Sequence, residues 1–256
     1  METPYDYPQY YELAFSWRKA DREVDVFEES IRRFSRVPAG RVLEVACGPA
    51  YHLPELARRG YEYVGLDLNR RMLAFAAEKA RRLAAPAAFV ESDQRDFTLA
   101  VPVDFAFVLL GSLYVRSTAE LESHLAAVAR ALRPGGLYFL DWCLTFTWAR
   151  RDALDDYWEV TRDGVRVEAH YRTDIILDAA AQLERDVMTL EVDDHGQRLR
   201  LVGEEIRRAI FPQEFLLLLE RSGAFEFVGW WNRWDFAKPI ERSANISRPI
   251  TIIRRK

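Results

Sequence analysis

The chain has 256 residues, which suits one large domain or a domain carrying an insertion. Apolar residues make up 49% and aromatics 13%, ample for a core and too rich for a disordered chain. The formal net charge is −4, so there is no basic surplus of the kind that binds phosphate backbones, and nucleic acid is disfavoured as a partner. Two cysteines, Cys47 and Cys143, exclude a disulfide-stapled scaffold, and with no CxxC pair or histidine cluster no metal site is expected. The first residues are acidic and polar, unlike a signal peptide. The longest apolar stretch, Phe105–Leu110, is far too short to span a membrane, so a cytoplasmic protein is expected.

The N-terminal segment is rich in aromatics: Tyr5, Tyr7, Tyr10, Tyr11, Phe15 and Trp17. Val24, Phe27 and Ile31 then follow at helical spacing. Strands are expected at Arg41–Ala46, Tyr61–Leu68, Ala87–Asp93, Val103–Gly111 and Leu137–Trp142. Helices are expected between them at His52–Arg59, Arg70–Ala84 and Ser117–Leu132, with Gly60 as a stop and Asn69 and Ser117 or Thr118 as caps. Arg133-Pro134-Gly135-Gly136 reads as the turn into the fifth strand. This alternation implies a doubly wound α/β domain with a mostly parallel sheet.

From Tyr157 to Ile210 the period becomes two. Val165, Val167, Ala169, Tyr171 and Thr173 share one face; Arg166, Glu168, His170 and Arg172 share the other. With turns at Asp163-Gly164 and His195-Gly196, this reads as three or four antiparallel strands. The α/β rhythm resumes with a helix over Gln213–Arg221, preceded by Pro212 and ended by Gly223, and strands at Phe225–Trp231 and Pro249–Arg254. The organisation is therefore an N-terminal aromatic helical lid over 1–37, a core over 38–143 and 211–256, and an antiparallel insertion over 144–210.

The chemistry sits at Glu44-Val45-Ala46-Cys47-Gly48-Pro49-Ala50, a strand end running through small residues into a helix. Small residues there let a ligand approach the backbone, and Asp67 closes the next strand nineteen residues after Gly48. A carboxylate in that position can accept both hydroxyls of a ribose. The turn holds one glycine where a dinucleotide fingerprint needs three, and Glu44 would repel a pyrophosphate yet favour a cation. The site reads as shaped for adenosine carrying positive charge. Cys47 reads as a small buried thiol, and His52 and His124 as surface or helix residues.

These segments resemble class I S-adenosylmethionine-dependent methyltransferases. Glu44–Pro49 is similar to the family's first motif, Asp67 to its ribose acid, and Glu91-Ser92-Asp93 with Phe97 to its third-strand motif. Phe107–Tyr114 and Ala131–Leu137 match the loop after strand four and the entry to strand five. One departure is Ala50, where many members carry glycine. The resemblance implies a Rossmann-like sheet of seven strands with the last antiparallel, and S-adenosylmethionine as cofactor. It implies cofactor contacts from Glu44, Ala46, Gly48, Asp67, Leu68, Met72, Asp93, Gln94, Leu110 and Gly111, with Asp93 on the adenine amino group. The antiparallel insertion resembles that of small-molecule N- or O-methyltransferases. Its polar face, with His170 and Arg172, is expected to serve the methyl acceptor, and Tyr11 is a further candidate at the reacting centre. The insertion could instead serve a homodimer contact. A nucleic-acid or protein methyltransferase, a non-catalytic cofactor-binding or partner-binding module and a nicotinamide-dependent oxidoreductase stay open as alternatives.

Overall fold

The computed structural model describes residues 2–146, 154–243 and 245–256. After a turn of 3-10 helix come α1 (Pro8–Ala14) and α2 (Ala20–Phe34). The core then runs β1 (Arg41–Val45), α3 (Leu53–Arg58), β2 (Glu62–Asp67), α4 (Arg70–Arg82), β3 (Ala87–Glu91), β4 (Val103–Val108), α5 (Thr118–Ala131) and β5 (Leu132–Asp141). A second group follows: β6 (Leu154–Arg162), β7 (Val165–Asp178), β8 (Leu183–Asp194) and β9 (Gln197–Arg208). The core closes with α6 (Pro212–Ser222), β10 (Phe225–Trp231) and β11 (Ile250–Arg255).

The main sheet has seven strands in the order β10-β11-β5-β4-β1-β2-β3. β1 pairs in parallel with both β2 and β4, whereas β11 runs antiparallel to β5 and β10, as the family resemblance implied. Every residue of β4 is buried, which follows from its unbroken apolar run and from helices covering both faces. Val24 and Phe27 of α2, with Leu53 and Leu56 of α3, cover one face. Leu121 and Leu125 of α5, with Phe215 and Leu219 of α6, cover the other. The caps foreseen at Asn69 and Ser117 are present, the Asn69 side chain accepting from Arg71 and Met72 and the Ser117 hydroxyl from Glu120.

The expected turn at Arg133–Gly136 lies instead within β5. Val103 pairs with Leu132 and Phe105 with Leu137, so these four residues bulge out between two paired flanks. Gly136 is required there, because a Cβ would stand 2.5 Å from the Asp104 carbonyl oxygen. The sheet switches direction of growth at β1, whose neighbours β2 and β4 lead away on opposite sides. Ligands of open α/β sheets bind beyond the carboxyl ends of the strands at such a point.

The other four strands form a separate antiparallel sheet in the order β6-β7-β8-β9. Its buried face meets α1: Ala14 packs with Ala169, Met188, Leu190 and Leu201. The Trp158 indole donates to the Ala14 carbonyl at 2.7 Å and the Tyr10 hydroxyl to Asp194 at 2.6 Å. The N-terminal aromatics thus wedge between the two sheets. Among the described residues no helix is long and apolar enough to cross a membrane.

Candidate active site

The loop leaving β1 is built from left-handed residues: Ala46 (φ 53°), Gly48 (51°) and Ala50 (53°). Glycine accepts that conformation freely, whereas each alanine carries strain of about 1 kcal/mol. Asp67, at the end of β2, ties the loop down. Its Oδ2 accepts from the Gly48 amide at 2.8 Å and its Oδ1 from the Asn69 amide at 2.8 Å. Burial raises the Asp67 pKa, while these amides pull it back down. A cavity of about 360 Å³ opens over this loop, lined by Ala46, Gly48, Asp67, Leu68, Met72, Asp93 and Gln94 from the expected set. The Tyr11 ring lies over Gly48, 4.0 Å from where a Cβ would stand.

The other expected residues fall in different places. Leu110 and Gly111 line a second, adjoining cavity, with Ser112 shared by both. Asp93 faces the first cavity, but Arg95 holds it in a fork, with Nη2 2.5 Å from Oδ2, and this keeps its carboxyl below the usual range. Gln94 donates to the Ser112 carbonyl at 2.9 Å, linking the strand-three loop to the strand-four loop.

Glu44 lines neither cavity, which corrects the expectation that it faces a cationic ligand. Its carboxylate turns away under the loop, where Oε2 accepts from the Tyr63 hydroxyl at 2.5 Å and Oε1 lies 3.1 Å from His52 Nδ1. His52 is wholly buried, not a surface residue, and its Nε2 lies 2.7 Å from Glu23. Burial alone would strip its proton, but Glu44 and Glu23 outweigh that and raise its pKa. Glu23 also meets Arg18 at 2.6 Å and Arg248 at 3.0 Å. Arg248 continues to Asp141, whose Oδ2 accepts from the Leu110 amide at 3.0 Å. A buried chain of alternating charge therefore runs from beneath the first loop to the second. His124 is buried as well; burial holds it neutral, with a pKa near 4, and it contacts the Gln94 carbonyl at 2.7 Å.

The second cavity, of about 510 Å³, lies between the strand-four loop and the antiparallel sheet. The sheet does face the site, but through the opposite surface from the one expected. His170 and Arg172 are exposed on the outer face, where His170 packs on Tyr157. Tyr171, Asp186, Met188, Gly203, Glu205 and Arg207 point inward. Strand register explains this: Tyr171 faces Met188 and Gly203 across the ladder, and Asp186 stands directly opposite Glu205. Asp186, Glu205 and Arg207 lie in no motif and were not singled out from the sequence. The available signal was their even spacing from buried Leu190 and Leu201: four residues for Asp186 and Glu205, six for Arg207. Tyr5, Tyr11, Ser112, Tyr114 and Glu205 line both cavities and mark where they join.

Comparison with known proteins bears on the fold and on residues 42–136. Residues 42–136 match the family profile described as Methyltransferase domain. The chain is 30% identical over 163 residues to a dTDP-3-amino-3,4,6-trideoxy-alpha-D-glucopyranose N,N-dimethyltransferase from Streptomyces venezuelae, covering 63% of this chain and 65% of that one. It is 32% identical over 104 residues to a putative methyltransferase, YqeM, from Bacillus subtilis, covering 40% and 42%. The matched stretch thus spans less than two thirds of each relative's own length. A crystal structure of an S-adenosylmethionine-dependent methyltransferase from Clostridium acetobutylicum superposes with a TM-score of 0.78 at 17% identity, covering 96% of this chain and 95% of that one.

Proposed function

We propose that this chain, whose residues 42–136 match a methyltransferase domain profile, transfers a methyl group from S-adenosylmethionine to a nitrogen or oxygen of a small-molecule acceptor. The observation that carries this reading is the meeting of two cavities at Tyr11, Ser112, Tyr114 and Glu205. One is walled by the β1 and β2 loops, the other by the inserted sheet. The relative from Streptomyces venezuelae, whose name gives a dTDP-amino-sugar N,N-dimethyltransferase, supports a nitrogen acceptor.

The residues present suit the cofactor. Asp67 offers a half-buried carboxylate for the ribose hydroxyls, Leu68 and Met72 offer apolar surface for the adenine, and Asp93 offers an acceptor for its amino group. Gly111 and Ser112 would receive the methionine part. When bound, the cofactor supplies a methyl group already activated on a sulfonium. The protein's share is then orientation and exclusion of water, for which Tyr5, Tyr11 and Phe15 form an aromatic cover.

Incubation with methyl-labelled S-adenosylmethionine and separate panels of small amines, small alcohols, DNA, RNA and protein tests the proposal. Label is expected in a small amine or alcohol. Transfer confined to nucleic acid or protein, or to nothing in any panel, would contradict it.

A further inference from the structure

The second cavity has a chemical character of its own. Tyr5, Tyr11, Phe15, Tyr114, Trp158 and Tyr171 wall it. Its charged lining among the described residues is acidic: Asp156 and Glu159 at the rim, Asp186 and Glu205 within, against Arg207 alone. Arg207 is already committed, with Nε 2.6 Å from Asp186 and a second contact to Glu184 at 3.5 Å. Asp186 is 3% exposed and its Oδ1 finds no hydrogen-bond donor in standard geometry. Two carboxylates placed directly opposite on neighbouring strands repel each other, a cost that folding alone does not require. The Glu205 carboxylate makes no hydrogen bond or salt bridge among the described residues, with only the pull of Arg116 acting on it, and it lines both cavities.

We propose that this cavity takes the methyl acceptor as an apolar ammonium ion, with Glu205 as the residue that fixes its nitrogen at the junction of the two cavities and takes up one N–H proton, since only the deprotonated amine has a lone pair with which to accept a methyl group. The inference rests on the methyl-transfer reading and deepens it. Aromatic faces attract a cation, and an unpaired, half-buried carboxylate does so more strongly. The same lining is hostile to a nucleoside diphosphate. This chain would then differ in acceptor from the relative whose name gives a dTDP-sugar substrate. Burial and Asp186 raise the Glu205 pKa against the pull of Arg116, so the site should lose its cation as that carboxylate is protonated. The Tyr5 hydroxyl also interacts with it, and Arg207 and the hydroxyls of Tyr114 and Tyr171 line the same cavity; burial pushes up the pKa values of all three tyrosines.

The probes are benzyltrimethylammonium, a permanent cation with an apolar ring, and thymidine diphosphate. Both are titrated calorimetrically into the full chain, wild type and Glu205→Gln, with S-adenosylhomocysteine titrated in parallel. The ammonium should bind wild type and lose at least about tenfold in Glu205→Gln, the effect expected of one half-buried charge. In wild type its affinity should fall as acid protonates Glu205, whose pKa is raised, and in the variant it should be flat. Thymidine diphosphate should bind more weakly than the ammonium. Tighter binding of thymidine diphosphate, or equal ammonium affinity in the two proteins, would overturn the inference. If S-adenosylhomocysteine binds while the ammonium does not, the inference fails and the methyl-transfer reading stands; if neither binds, both fail.

Discussion

Asp67→Ala should weaken S-adenosylhomocysteine binding by roughly tenfold to several hundredfold. In the proposed complex the carboxylate accepts both ribose hydroxyls, and each hydrogen bond to a charged group contributes about 1.5–3 kcal/mol. The same substitution should also cost stability. It strips the acceptor from the Gly48 and Asn69 amides, and each partly buried donor left unpaired costs about 1–3 kcal/mol. The two effects separate if affinity is measured well below the unfolding midpoint. Unchanged affinity in a folded variant would remove Asp67 from the ligand site.

Glu23→Ala should be the most destabilising single change to the buried charge chain. Glu23 is 6% exposed and faces Arg18, His52 and Arg248 together. Its loss leaves three cationic groups without their shared partner, which costs about 3–5 kcal/mol. For a chain of this size the midpoint should fall by roughly 10 °C. The pH dependence has a definite sign. The raised His52 pKa means its contribution is full below about 6.5 and is lost as pH rises through the folded value. The depressed Glu23 pKa means its contribution is present above about 4.5 and is lost in acid. Wild type should therefore unfold more easily in urea at pH 9 than at pH 6, and the variant should lose much of that difference. A flat wild-type profile would show that His52 carries no proton. Because Arg248 passes the chain on to Asp141 and the Leu110 amide, the variant should also loosen the strand-four loop.

The sheet was legible because each strand announced itself locally. The all-apolar β4, the Asn69 and Ser117 caps and the Gly223 stop at φ 63° depend on a few neighbouring residues. The first cavity was legible for the same reason, since Ala46, Gly48 and Asp67 lie at strand ends whose positions the pattern fixes. What stayed hidden depended on partners distant in sequence. Glu44 could be read as an acid near the ligand, but not as an acid claimed by Tyr63 and His52, since that needs the packing of α2 and α3 beneath the loop. His170 and Arg172 looked more chemical than Tyr171 and Thr173, yet the sheet turns its other face inward. Only the pairing of β7, β8 and β9 brings Tyr171, Asp186 and Glu205 together, and alternation within one strand cannot say which face wins.

The central claim is that the cavity at the β1 and β2 ends holds an adenosine ligand with a methionine-derived tail. Calorimetric titration of the wild-type chain with S-adenosylhomocysteine, and separately with NADH, tests it most directly. The account predicts one saturable site for S-adenosylhomocysteine and no measurable heat for NADH. NADH binding more tightly than S-adenosylhomocysteine would contradict it.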